Sequence, residues 1–227
     1  MILAVVGTGT GVGKTHVAAA LLRYLRAGGR EVLGWKPMES GVAGALGDDE
    51  AALLAACGAR APTLRFAAAL APPQAARLQG LTIDRAALGA QLAELAARWP
   101  TLVVELAGGW FSPFDDELDN AQWLAELPGA LRARLRLVLV APDRLGVLHD
   151  VSAALRAAAT LQLAPRVLAL SAPERGDAST GGNATELASR PLTRPLPLVQ
   201  LPRATPTQLA AGDAIARLAG FALAPGG

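Results

Sequence analysis

The segment Val5-Val6-Gly7-Thr8-Gly9-Thr10-Gly11-Val12-Gly13-Lys14-Thr15-His16 decides the fold. The apolar run Ile2–Val6 leads into it, and an alanine- and leucine-rich stretch, Lys14–Ala27, leads away. Strand, glycine loop and helix, in that order, let the backbone turn several N–H groups inward toward phosphate oxygens. The positive end of the following helix adds to their field. On this reading Gly11, Val12 and Gly13 cradle a nucleotide's phosphates and Lys14 reaches the outer ones. The Thr15 hydroxyl then completes the coordination of Mg²⁺. His16 falls one residue further, at the nucleotide's edge or on the surface. The strict pattern G-x-x-x-x-G-K-[ST] is not met, because Thr8 stands five before Gly13 with Gly7 and Gly9 on either side. The competing reading is an ordinary glycine-rich turn with an incidental lysine; the strand before it and the helix after it weigh against that.

Outward from the loop, short apolar runs alternate with helical segments. Strands are expected at Ile2–Val6, Glu31–Trp35, Leu64–Phe66, Leu102–Glu105, Leu135–Val140, Arg166–Leu170 and Leu196–Leu201. Helices are expected at Lys14–Ala27, Asp49–Ala56, Arg85–Trp99, Ala121–Glu126, Val147–Leu161, Thr185–Ser189 and Pro206–Leu218. Runs such as Leu-Val-Leu-Val are apolar on both faces, as strands covered on both sides must be. The rhythm implies an α/β fold with a mostly parallel, doubly wound sheet, in a single domain over residues 1–227. Ser171–Asn183 reads as a flexible loop, and the proline-rich Pro191–Pro206 as a late connection carrying one strand.

With 227 residues and 52% hydrophobic content, the chain can fill a sizeable core. No apolar run approaches the roughly 18 residues of a membrane span, so a membrane role is not expected. Met1–Val6 has no basic residue ahead of its apolar stretch and reads as a strand, not a secretion signal. The single cysteine, Cys57, ends a helical run, which suits core packing and a reducing, cytoplasmic setting. The 21 basic residues balance 19 acidic ones and are scattered, with aromatics at 4%, so a nucleic-acid surface is not expected. Only two of the basic residues are lysines, Lys14 and Lys36. In a chain this biased to arginine, both mark positions where a compact ammonium serves and a planar guanidinium would not.

Lys36 follows the strand Val32–Trp35 and precedes Pro37-Met38-Glu39-Ser40-Gly41. Ligands of open α/β sheets bind beyond the carboxyl ends of strands, which projects Lys36 and Ser40 toward the phosphate loop. Glu105 ends another buried strand, ahead of Ala107-Gly108-Gly109, and a metal beside a triphosphate would partner it. Asp48-Asp49-Glu50 opens a helix, where acids serve either as caps or, for Asp49, as a metal or nucleotide contact.

Together these segments resemble the dethiobiotin synthetases. The matching residues are the loop Gly7–Thr15, Lys36-Pro37 with Ser40-Gly41, the helix start at Asp49, Val104-Glu105-x-Ala107-Gly108-Gly109-Trp110, and Leu145-Gly146-x-x-His149. The resemblance is sharp over residues 2–41 and 101–114 and weak beyond 165. It implies ATP-dependent closure of a ureido ring on 7,8-diaminopelargonic acid with CO₂, through a phosphorylated carbamate. It implies that Lys36 binds the carbamate and the phosphoryl group in transfer, that Lys14 holds the phosphates, and that Ser40 and Thr10 contact the substrate. Thr15, Asp49 and Glu105 would place Mg²⁺, with Gly108 and Pro202 as nucleotide neighbours. It further implies a homodimer in which the Leu145–His149 turn reaches the substrate's tail.

Four positions depart from the family pattern. Gly9 stands for the usual loop aspartate, and Leu106 for a glycine whose replacement could crowd the loop. Leu148 stands for the asparagine before His149, and Ser171-Ala172 for the adenine-reading pair. A related amide-forming synthetase on another substrate and a non-catalytic nucleotide switch of the ParA type remain as alternatives.

Overall fold

A computed structural model describes residues 1–224. The strands of its main sheet are β1 (Ile2–Gly7), β2 (Val32–Trp35), β5 (Thr101–Glu105), β6 (Leu135–Pro142), β7 (Pro165–Ser171) and β8 (Leu198–Leu201). A separate pair is formed by β3 (Met38–Ser40) and β4 (Leu64–Phe66). The helices are α1 (Lys14–Ala27), α2 (Asp48–Cys57), α3 (Pro72–Leu78), α4 (Arg85–Arg98), α5 (Asn120–Ala125), α6 (Gly129–Arg132), α7 (Val147–Thr160), α8 (Asn183–Ser189), α9 (Pro206–Ala210) and α10 (Asp213–Leu223).

The main sheet runs β2-β5-β1-β6-β7-β8, and every pairing in it is parallel. All six residues of β1 and all five of β5 are buried, which explains the apolar composition of β1 and the Leu102–Val104 run ahead of the terminal Glu105. After β1 the chain passes to the β2 edge, and after β5 it crosses back over β1 to β6. That reversal opens a crevice at the carboxyl end of β1, where the glycine loop lies. Among the described residues no helix is long and apolar enough to cross a membrane.

The expected elements are present, with α3 and α6 as additional short helices and three further differences. Leu64–Phe66 does not join the main sheet; it pairs with Met38–Ser40, a strand not among those expected. A second pair of backbones thereby fixes the Lys36–Ser40 segment. The helix expected at Pro206–Leu218 is two helices. Thr205 and Gln208 cap α9 reciprocally, and Gly212 takes an extended conformation (ψ 157°) that starts α10 afresh at Asp213. Finally, Ser171–Asn183 carries its own hydrogen bonds. Buried Asp143 accepts from Gly181 N and Asn183 Nδ2, and the Asp177 carboxylate accepts from Leu145 N and Ser179 N. The Ser179 hydroxyl leads the donors that hold the Asp177 carboxyl down at about 2, so this anchor stays charged throughout neutral pH. Cys57 is buried at the end of α2 and accepts from Gly34 N, in keeping with a packing role.

Candidate functional site

The phosphate loop owes its path to Gly13, whose φ of 98° is strained for any residue with a Cβ. A Cβ there would also stand 2.6 Å from Ser171 Oγ. Immediately after it, Lys14 turns back so that its Nζ donates to Gly9 O at 2.9 Å. Burial, and then repulsion from Lys36, pull the Lys14 pKa down to about 8. The neighbouring charges of Glu105 and Asp49 work against this fall.

Lys36, Asp49, Glu105 and Thr15 form a single cluster. Lys36 Nζ donates to Asp49 Oδ2 and to Glu105 Oε1, each at 2.7 Å. Thr15 Oγ1 lies 2.6 Å from Asp49 Oδ1 and 2.8 Å from Glu105 Oε1. Four separate segments supply these side chains: the first turn of α1, the end of β2, the first turn of α2 and the end of β5. Lys36 is 4% exposed and Glu105 is fully buried, so the pairs work in a medium that screens them weakly. Burial alone would pull the Lys36 pKa down, but the charges of Glu105 and Asp49 outweigh it and hold the ammonium above its usual range. Burial would likewise raise Asp49, yet Lys36 brings it below the usual carboxylate range. Glu105 moves the other way: burial raises it, Lys36 opposes this, and the neighbouring Asp49 charge adds to the rise. The deeper of the two carboxylates thus holds its proton more readily than a solvated glutamate does.

Glu105 Oε2 is buried without a hydrogen-bond partner. Together with Thr15 Oγ1, Asp49 and Glu105 Oε1, this makes a hard-oxygen donor set with unspent negative charge. Such a set suits Mg²⁺, which takes one or two protein carboxylates and completes its shell with substrate phosphates and water. Among the described residues no group of three or more His, Cys, Asp or Glu side chains could cage a metal without such help.

Two clefts meet at the phosphate loop. The first, about 760 Å³, is lined by Thr10, Lys36, Ser40, Asp49 and Gly108, with Leu46 and Leu70 among its apolar walls. Ser40 Oγ is buried and without a partner, a hydroxyl left free to bind something. The second, about 860 Å³, is lined by Gly11, Val12, Gly13, His16, Ser171 and Pro202. The expected site residues thus fall on the two sides of one loop. Gly108, read from sequence as a nucleotide neighbour, lines the Lys36 cleft; Pro202 lines the His16 cleft. Burial lowers the His16 pKa, which favours a neutral imidazole. Of the departures, Leu106 packs into the core at 2% exposed and lines neither cleft. Leu148 packs partly buried against the core. At Gly9 a Cβ would meet only Val12 Cγ1, at 3.8 Å, so nothing steric demands a glycine there.

Two groups escaped the motif search. Glu39 is buried and caps α2 from outside, accepting from Asp49 N and Glu50 N at 2.9 Å each. Glu50, buried in turn, accepts from Arg65 (2.6 Å) and Arg60 (2.9 Å). A signal for the first was present: α2 begins after Gly47, which has no side chain to cap it.

A parallel sheet with its glycine loop, buried lysine and strand-end acid at the switch point defines a P-loop nucleotide-binding protein. A family model described as "AAA domain" matches residues 2–194. The ATP-dependent dethiobiotin synthetase BioD of Anaeromyxobacter dehalogenans (strain 2CP-C) is 40% identical over 208 residues, covering 88% of this chain and 89% of that protein. Its counterpart from Rhodopirellula baltica is 35% identical over 202 residues, covering 81% and 77%. The chain belongs to the dethiobiotin synthetase family. Among solved structures, the signal recognition particle receptor FtsY from Elizabethkingia anophelis superposes with a TM-score of 0.56 at 13% identity. Chloroplast FtsY from Physcomitrella patens gives 0.55 at 15%. The chain spans 64% and 65% of those two receptors' lengths, and the likeness is one of fold.

Proposed function

We propose that this protein closes the ureido ring of dethiobiotin from 7,8-diaminopelargonic acid, CO₂ and ATP, releasing ADP and phosphate. The observation that carries the reading is the buried Lys36 held between Asp49 and Glu105 beside a partnerless Ser40 hydroxyl, in a family whose members are named for this ATP-dependent reaction.

The atoms balance as follows. One amine of the diamine attacks CO₂ and loses a proton, giving a carbamate. A carbamate oxygen attacks the γ-phosphorus, and the bond to ADP breaks. The second amine attacks the carbonyl carbon and loses a proton, phosphate leaves with the carbamate oxygen, and the ring closes. Each step gathers negative charge on oxygens that Lys14 and Lys36 would neutralise, and most of the gain comes from alignment. Ser40 and Thr10 would hold the carbamate end of the substrate in the Lys36 cleft, and the walls at Leu46 and Leu70 would take its methylene chain. The His16 cleft would hold the nucleotide's base and ribose. Mg²⁺, bound by Thr15, Asp49 and Glu105, would supply charge neutralisation on the phosphates. With the metal there, Lys36 would turn from the two carboxylates to the carbamate and the phosphoryl group. The family relation also supports a homodimer and a cytoplasmic enzyme.

The test is phosphate release and mass detection of product with diaminopelargonate, bicarbonate and Mg·ATP together. Omitting the diamine should abolish phosphate release. Release that ignores the diamine would replace this reading with a nucleotide switch, and product from a different amine would replace it with a related synthetase.

A further inference from the structure

We infer that Glu39 is a positioning residue which sets the metal-facing carboxylate, Asp49, by capping α2 from the Lys36–Ser40 segment. The inference rests on the reading of Asp49 as a contact of the metal–nucleotide complex. A helix leaves its first N–H groups without intrahelical partners, and those two and three places into the helix are the ones a capping side chain ordinarily takes. In α2 the capping position is Gly47, which has no side chain, and Asp48 makes no capping bond. The two amides go instead to a carboxylate eight residues upstream of Gly47: Asp49 N to Glu39 Oε1 and Glu50 N to Glu39 Oε2.

Glu39 is 7% exposed, an expensive place for a carboxylate unless it is bonded. Its charge there also meets the positive end of α2. Both oxygens accept from backbone amides of the first turn of α2, which makes Glu39 a brace for that helix start. The bracing is direct: the amide it grips belongs to Asp49 itself, whose carboxylate reaches Thr15 and Lys36. Gly47 is part of the same device. Its backbone (φ −83°, ψ 161°) is one that alanine adopts readily, but a Cβ there would stand 2.2 Å from Glu39 Cδ and 2.3 and 2.4 Å from its oxygens. Gly47 is therefore glycine because the brace occupies the space.

The steric relation gives the test. Binding of Mn²⁺ in the presence of a non-hydrolysable ATP analogue is measured by electron paramagnetic resonance for the wild type, Glu39→Ala, Gly47→Ala and the double variant, alongside thermal unfolding. Each single variant is expected to weaken Mn²⁺ binding about 10- to 100-fold, as loss of a residue that orients a metal's ligand does. In the double variant Gly47→Ala is expected to add nothing, because the carboxylate it would strike is gone. Glu39→Gln, which keeps one acceptor oxygen, should fall between wild type and Glu39→Ala. Additive losses, unchanged Mn²⁺ binding in Glu39→Ala, or no Mn²⁺ binding by the wild type would each overturn the inference. Should the variants fail to fold, amide hydrogen exchange on the wild type decides: Asp49 and Glu50 should exchange more slowly than Asp48, and equal rates would refute the brace. The proposed ring closure is judged separately, by product formation in the wild type. A wild type that makes dethiobiotin while Glu39→Ala binds Mn²⁺ normally sinks the brace alone. A wild type that binds Mn²⁺ through Glu39 without making dethiobiotin sinks the reaction alone.

Discussion

The two clefts that meet at the phosphate loop are of similar size, about 760 and 860 Å³, but are built on different terms. On the Lys36 side the central groups are tied to one another: Lys36 donates to both Asp49 and Glu105, the Thr15 hydroxyl lies within reach of both acids, and Glu39 accepts from two amides of α2. On the His16 side the walls are largely glycine, proline and alanine, and its charged side chains Arg144, Glu174 and Arg203 stand exposed at the rim. The contrast teaches where this fold spends its specificity. On the proposed reading, charge that must be aligned for transfer is over-determined, and the base and ribose, which take no part in the chemistry, would meet a surface of shape and backbone.

The largest expected break in that contrast comes from Lys36→Arg. A guanidinium keeps the charge but is too wide for the space between Asp49 and Glu105. Turnover should fall about 100- to 1,000-fold, the usual cost of one displaced transition-state contact. Affinity for ATP should stay within about threefold, since Lys14 and the loop amides remain. Steady-state kinetics beside a nucleotide titration separate the two, and equal loss in both would remove Lys36 from the chemistry.

Next in size is Thr15→Ala, which takes away the hydroxyl shared by both acids. The Mg²⁺ concentration for half-maximal rate should rise on the order of 10- to 100-fold, with maximal rate recovered at high metal. An unchanged metal requirement would place Thr15 outside the metal's surroundings.

Lys14 gives a pH prediction. Its pKa of about 8 lies below the ordinary lysine value of 10.5, so the free protein gives up this proton where the unfolded chain still holds it. Stability of the unliganded protein should accordingly rise between pH 8 and 10.5 as far as this group is concerned. Nucleotide binding runs against this, because phosphate charge favours the protonated lysine. Above pH 8 binding of a non-hydrolysable ATP analogue should take up a proton, and its dissociation constant should grow by up to about tenfold per pH unit. Titrations in buffers of different ionisation enthalpy would show the proton; a pH-independent affinity would contradict the placement of Lys14.

The smallest effects belong to the other cleft. Arg203→Ala should change the KM for ATP by less than about fivefold, as solvent-exposed charges ordinarily do. ATP and GTP should support turnover within about tenfold of one another, a difference of about 1.4 kcal/mol. A discrimination of a thousandfold would mean that this side reads the base after all.

What was legible in the sequence follows the same division. The loop, Lys36, Asp49 and Glu105 could be found because each sits at the end of a strongly periodic element, where residue type and position along the chain carry the signal. Strands β1 and β5 were legible for a related reason: burial on both faces goes with apolar runs, Ile2–Val6 and Leu102–Val104. The pairing of Met38–Ser40 with Leu64–Phe66 was not legible, because two three-residue strands have no period to read. Nor was the cap of α2, which comes from a residue ten places before Asp49 in the chain and has no local pattern beyond the missing side chain at Gly47. The break at Gly212 was hidden by alanines on one side and an apolar helix on the other.

The most direct measurement follows an oxygen atom. In a rapid single turnover with ¹⁸O-labelled bicarbonate, diaminopelargonate and Mg·ATP, a carbamate oxygen that attacks the γ-phosphorus must depart with the phosphate. The expected result is one ¹⁸O in the released phosphate for each dethiobiotin formed, with the yield of both falling together in Lys36→Arg. Phosphate carrying only solvent oxygen would show that water, not the carbamate, receives the phosphoryl group, and would contradict the role given to Lys36 and its cleft.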